Sequence, residues 1–184
     1  MPLCPHCDKA IDKGTVTCPQ CGQNTQPDAA MLATMSAPAV NKLVKGFTRN
    51  LAEDPDDQKS SGYLAMCFLR LKLYDKAMPH FEKALDMNYE DAEAYFMAAI
   101  CLLRGKKPFL AQRADINKAV EYLNAANQIE EKAIYYQLLG YIKQDYFDRK
   151  FLNVSPTTEE EYAKADELGL TDDDVQTLTT LLGL

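Results

Sequence analysis

Residues 58–104 read QKSSGYLAMCFLRLKLYDKAMPHFEKALDMNYEDAEAYFMAAICLLR, and this stretch decides the fold. Displaced by 34 positions it matches itself: Ala65 falls on Ala99, Cys67 on Cys101, Leu69 on Leu103 and Arg70 on Arg104. The same displacement carries Leu43 to Ala77 and Phe47 to Phe81. Apolar residues within each copy recur every three or four positions, the spacing that lines one side of an α-helix. A fixed period in helical sequence describes a unit that buries its apolar face against the next copy of itself.

Within residues 58–91, small Ala65 and Ala77 face each other across two helices, with Phe81 and Ala84 four and seven residues beyond Ala77. Small side chains let helices approach closely, and the aromatic fills the space toward the neighbouring pair. The next unit offers Ala99, Ala119, Leu123 and Ala126, its helices spaced more widely by a longer loop. A third runs from Tyr136, Leu139 and Gly140 to Thr158, Tyr162 and Ala165. Leu43, Phe47 and Pro55 suit the second helix of a preceding unit whose first helix is missing or degenerate. With its 34-residue period, the pattern resembles the tetratricopeptide repeat (TPR) family over about residues 38–170. Departures from that family are the absence of Trp, Tyr89 where Pro is usual, and Pro79 within a helix. With Asp75 as N-cap, Pro79 would fall in or just past the first turn.

The N-terminus carries a different signal. Cys4, Cys7, Cys18 and Cys21 form CPHC, ten intervening residues, and CPQC. Two such turns bring four thiolates to one point and complete the tetrahedral shell that zinc prefers, with no open position for chemistry. A segment this short has no core of its own, so metal binding would supply its folding energy. Residues 4–22 resemble a short zinc ribbon, in which Gly22 suits the sharp turn and Asp8 departs from glycine. A redox reading of CPHC needs a preceding strand and leaves the second pair unexplained. His6, between ligands, reads as a surface imidazole.

Composition sets the remaining bounds. Hydrophobic residues are 47% and charged residues 26% of 184, enough apolar material for a folded core. The net charge is −7, and residues 155–184, with one Lys and eight acids, account for all of it. That balance, and a ribbon without aromatics or surplus cations, argues against a nucleic-acid grip. The longest apolar run, Ala94–Leu103, is half of a membrane span. With no signal segment in MPLCPHC, a cytoplasmic protein is the expectation. Ser155-Pro156 with Glu159 is read as opening one helix and Thr171 with three acids as opening the last, whose Val175, Leu178, Leu181 and Leu182 seal the stack.

The expected architecture is therefore all-α: a zinc ribbon (1–22), a linker (23–37) and a TPR-like stack of about three helical hairpins with capping helices (38–184). The TPR resemblance implies a groove lined by first helices, at Met66, Leu69 and Arg70 of one repeat and Phe96, Ile100, Leu103 and Arg104 of the next. Met66 and Ile100 stand where carboxylate-clamp members carry Asn, so an apolar or amphipathic protein segment is the expected ligand. The linker's Met31, Leu32 and Met35, or a second copy of the chain, would fill the same stripe. Cys67 and Cys101 read as buried thiols, and the basic loop after Leu103 as solvated. No nucleophile–base set, phosphate loop or open metal position is legible. The function these features imply is a non-enzymatic adaptor, with the zinc ribbon as a second contact. A chaperone shielding a client's hydrophobic segment is the alternative, and a nucleic-acid-associated regulator the third reading.

Overall fold

A computed structural model describes residues 1–183, apart from the side chain of Ala29. Among the described residues it has nine α-helices and no strand, only two isolated antiparallel bridges, Leu3 with Ala10 and Thr17 with Asn24. Contacts divide the chain into two compact units, Met1–Met87 and Asn88–Leu184.

The first unit holds the cysteine segment and four helices, α1 (Ala29–Thr34), α2 (Ala37–Glu53), α3 (Gln58–Arg70) and α4 (Tyr74–Met87). Asp28 caps α1 through the Met31 N–H, and Asp57 caps α3 through the Ser60 N–H. These caps satisfy amides that have no intrahelical acceptor. Leu32 of α1, Val40, Leu43 and Phe47 of α2, and Leu64 and Cys67 of α3 form one buried cluster. The degenerate first helix is thus α1, six residues lying inside the stretch read as linker, and it packs against α3. Helix α4 begins at Tyr74, one residue ahead of the proposed cap, which puts Pro79 in its second turn. The Leu73 carbonyl already accepts from Lys76 and Ala77, so the helix is under way before Asp75.

The second unit has α5 (Ala92–Leu103), a 3₁₀ turn (Pro108–Leu110), α6 (Arg113–Ile129), α7 (Ala133–Ile142), α8 (Thr158–Glu167) and α9 (Asp172–Leu182). Helix α7 runs on through a π-helical turn (Lys143–Phe147) and a 3₁₀ turn (Asp148–Lys150), which absorb part of the lengthened third repeat. The repeat positions are where the period requires them. Ala65, Ala77, Phe81 and Ala84 are buried in the first hairpin, and Ala99, Ala119, Leu123 and Ala126 in the second. In the third, Gly140 admits the Tyr162 ring so closely that an added Cβ would lie 2.5 Å from Cε1. The box opening α8 is Thr157 with Glu160, not Ser155 with Glu159: the Thr157 hydroxyl accepts from the Glu160 N–H, and the Glu160 carboxylate accepts from the Thr157 N–H. Thr171 and Asp174 repeat this arrangement at α9. Leu178 and Leu182 of α9 are buried, and the helix packs on α7 and reaches α5.

One ion pair is locked inside this unit. Lys143, in the π-helical turn, donates to the Glu161 carboxylate and to the Pro156 carbonyl, with both charged side chains about 5% exposed or less. Removing one partner leaves a buried charge alone, whereas replacing both with apolar residues removes the desolvation penalty too. Lys143→Met is therefore expected to destabilise the chain by about 3–5 kcal/mol. The double variant Lys143→Met/Glu161→Leu is expected to recover most of that loss, as read by denaturant unfolding.

Candidate functional site

The cysteine segment is two copies of one turn. In the first, the Cys4 N–H donates to the Lys9 carbonyl at 2.9 Å and the Asp8 N–H to the Cys4 carbonyl at 3.0 Å. In the second, Cys18 donates to Gln23 at 2.9 Å and Gly22 to Cys18 at 2.8 Å. Asp8 (φ +64°) and Gly22 (φ +68°) hold the same left-handed position. Asp tolerates that conformation better than most side chains, and here its carboxylate pairs with Arg49 of α2 at 2.5 Å. The Arg49 guanidinium also holds the Asp8 carboxyl below the usual carboxylate range.

These turns bring the four thiols together, no Sγ farther than 4.8 Å from another. Cys4 and Cys21 are 3.8 Å apart, Cys7 and Cys18 3.7 Å. A tetrahedron with metal–sulfur bonds of about 2.3 Å has edges of about 3.8 Å, so the donor set fits a metal of zinc's size. The same separations far exceed a disulfide bond of about 2.05 Å. Burial pushes the Cys4 thiol up to about 12 against the pull of the His6 and Cys7 amides. At Cys18 burial acts the same way, but the Gln20 and Cys21 amides and neighbouring thiols outweigh it and bring the thiol to about 7. Amides aimed at sulfur favour thiolates, the form that binds metal. His6 lies outside the cluster, its Nε2 2.8 Å from the Asn24 carbonyl.

The segment is fastened to α2, a feature that the sequence reading did not contain. Asn50, 5% exposed, accepts from the Leu3 N–H and donates to the Leu3 carbonyl, both at 3.0 Å. One turn earlier on the same helix, an added Cβ at Gly46 would stand 2.4 Å from Pro5 Cα and 2.7 Å from its carbonyl oxygen. A glycine and an asparagine four apart in an otherwise amphipathic helix were the available signal. Such a pair marks where another backbone comes close and needs hydrogen-bond partners.

The groove residues divide between the units. In the first, Met66 is half-buried beside the core cluster and Leu69 is buried. Arg70 donates from Nε to the Leu32 carbonyl at 2.9 Å and from Nη2 to those of Ala33 and Met35 at 3.3 and 3.1 Å. It thereby satisfies the carbonyls at the end of α1. In the second unit, Phe96, Ile100 and Leu103 are 2%, 1% and 1% exposed, with Phe96 stacked on Tyr135 of α7 at 4.8 Å. Arg104 is exposed at the left-handed end of α5. No residue of α5 or α7 is exposed, and α9 lies against both. Cys67 and Cys101 are buried, and burial raises the Cys67 thiol to about 12. His80 packs its ring on Phe68 and places Nδ1 3.2 Å from the Ser61 hydroxyl; burial, then Lys83, lowers its pKa.

Solved structures of MamA, a TPR-like helical protein, share this fold. MamA from residue 41 to the end, from Desulfovibrio magneticus RS-1, superposes with a TM-score of 0.60 at 22% identity over 79% of this chain and 78% of that one. A double mutant of MamA RS-1 gives 0.59 and 22% over 77% and 75%, and MamA MSR-1 gives 0.54 and 17% over 77% of each. The fold class is that of TPR-like helical repeats. No protein-family model and no curated protein sequence matches the chain. Among the described residues no helix is long and apolar enough to cross a membrane.

The contact at Gly46 has a measurable consequence. Alanine in mid-helix would by propensity alone favour α2 by about 1 kcal/mol, but here its methyl meets the Pro5 backbone, which cannot swing aside. Gly46→Ala is expected to keep α2 helical and lift the cysteine segment. Metal release to a chelator then rises about tenfold, the equivalent of losing the two Asn50 hydrogen bonds. Unchanged release with a higher melting temperature would show that the segment does not rest on α2.

Proposed function

We propose that the protein is a non-enzymatic interaction scaffold whose first-helix faces hold an amphipathic helical segment of a protein partner. The observation that carries this reading is that both faces already hold short helices of this chain. In the first unit α1 lies on α3, its Leu32 in the cluster that Met66 packs against, with Arg70 gripping its terminal carbonyls. In the second, α9, with Leu178 and Leu182 buried, packs on α7 and on α5, the helix that carries Phe96, Ile100 and Leu103. A partner helix with apolar residues three and four apart would compete for the same surfaces. In the first unit Arg70, which now holds the carbonyl end of α1, would cap that of the partner helix. The TPR-like fold supports the reading, since repeat stacks present first helices as binding surfaces.

In this proposal Cys4, Cys7, Cys18 and Cys21 hold one structural zinc ion. The near-tetrahedral sulfur spacing and the repeated amide geometry support that assignment. Four thiolates leave the metal no open position, so it shapes a second contact surface and does no chemistry. Met66 is half-buried, whereas the other apolar face residues, Leu69, Phe96, Ile100 and Leu103, are buried. A photo-crosslinking amino acid placed at position 66 in cells is expected to yield one discrete protein adduct. Adducts to the chain's own residues alone, or none, would contradict an external partner.

A further inference from the structure

The loop between α5 and α6 together with the first residue of α6, residues 104–113 (RGKKPFLAQR), carries four cations and no acid in a protein of net charge −7. It is held firmly. The Phe109 N–H donates to Asp145 Oδ2 at 2.8 Å, and Asp145 Oδ1 pairs with Arg149 at 2.6 Å. Arg149 in turn lies 4.1 Å from the Phe109 ring centre. Lys150 sits 3.7 Å above Tyr146 and 5.0 Å from Phe109. The two 3₁₀ turns, Pro108–Leu110 and Asp148–Lys150, thereby form one ordered crest within the second unit.

Two large apolar side chains stand out from it. Leu110 is 68% exposed and Phe151 93%, the highest of any large hydrophobic described. Phe151 takes a left-handed backbone (φ +55°), which residues with side chains rarely adopt, and this conformation ends the turn with the ring outward. Lys106, Lys107, Arg113 and Arg149 are exposed around these tips. Of the nearby acids, Asp145 is engaged as above and Asp148 accepts from the Thr158 hydroxyl, while Asp115 follows Arg113 by two residues in the first turn of α6.

Shape and charge together select the occupant. Tips that project cannot enclose a peptide, so the complementary surface must yield to them. The cations require that surface to be anionic, although the chain as a whole is acidic. A bilayer interface rich in anionic lipid satisfies both demands, with the acyl boundary accepting Phe151 and Leu110 and the headgroups accepting the surrounding cations. We propose that this crest docks the protein peripherally on anionic phospholipid membranes. Each cation near such a leaflet strengthens association about fivefold, so attachment through the crest is reversible and salt-sensitive. This inference stands apart from the scaffold reading: Arg104 alone belongs to both, and Phe151, Leu110, Lys106 and Lys107, which the test changes, belong to the crest only.

The chain contains no Trp, so Phe151→Trp supplies a single emitter at a position too exposed to disturb folding. With vesicles of phosphatidylcholine containing about 30% phosphatidylserine, its emission is expected to shift to the blue. With pure phosphatidylcholine it is expected to stay where it is in buffer. Adding Lys106→Gln/Lys107→Gln is expected to weaken partitioning roughly twenty-five-fold. Wild-type protein should co-sediment with the anionic vesicles, and Phe151→Ser/Leu110→Ser should not. An unshifted emission with anionic vesicles overturns the proposal. So does an equal shift with both vesicle types, or a shift with heparin and none with vesicles, which would mark a site for soluble polyanions.

Discussion

Each hairpin depends on a close approach of two helices at small residues. Ala65 and Ala77 are buried in the α3–α4 pair, Ala99 and Ala119 in the α5–α6 pair, and Gly140 lies beneath Tyr162, so small residues stand where the helices of each pair pack. Close packing buries α5 and α7 on every side, which is affordable only because their sequences are apolar nearly all round. Helices of that kind need cover on each face. In the second unit α6, α8 and α9 supply it, and in the first α1 and α2 cover α3. Short helices thus lie on α3 and α5, α1 on the first and α9 on the second.

The metal site belongs to the same logic. Four thiols at tetrahedral spacing organise some twenty-five residues that have too little apolar surface to fold alone. The segment is then set against α2 by Asn50, by the Asp8–Arg49 pair and by the missing side chain of Gly46. Asn50 is a buried polar group whose amide is satisfied only by the Leu3 backbone, so loss of the turn would strand it. Asn50 thereby ties the cysteine turns to α2 alongside the Asp8–Arg49 pair.

Much of this was legible in the sequence because it rests on periodicity and spacing. The 34-residue self-match fixed the hairpins and their small-residue contacts, and the CxxC pairs fixed the ligand cluster. Capping was readable to within two residues: Thr171 opens α9 as expected, while at α8 Thr157 takes the role given to Ser155. What stayed hidden depends on three-dimensional juxtaposition. No local pattern says that Leu3 meets Asn50 or that Arg70 reaches back to the end of α1. Lys143 and Glu161 look like ordinary surface charges until the π-helical turn carries the lysine inward. Phe151 looks like a core residue, yet it is almost wholly exposed.

The cysteine turns and the helices beside them are held together as one folded body. Hydrogen exchange of the full chain, before and after metal removal by a chelator, tests it most directly. The expected result is loss of protection in residues 1–26 and along α2 around Gly46 and Asn50, with α5 to α8 unchanged. Protection lost in residues 1–26 alone, with α2 untouched, would contradict the account and return the cysteine segment to the status of a tethered appendage.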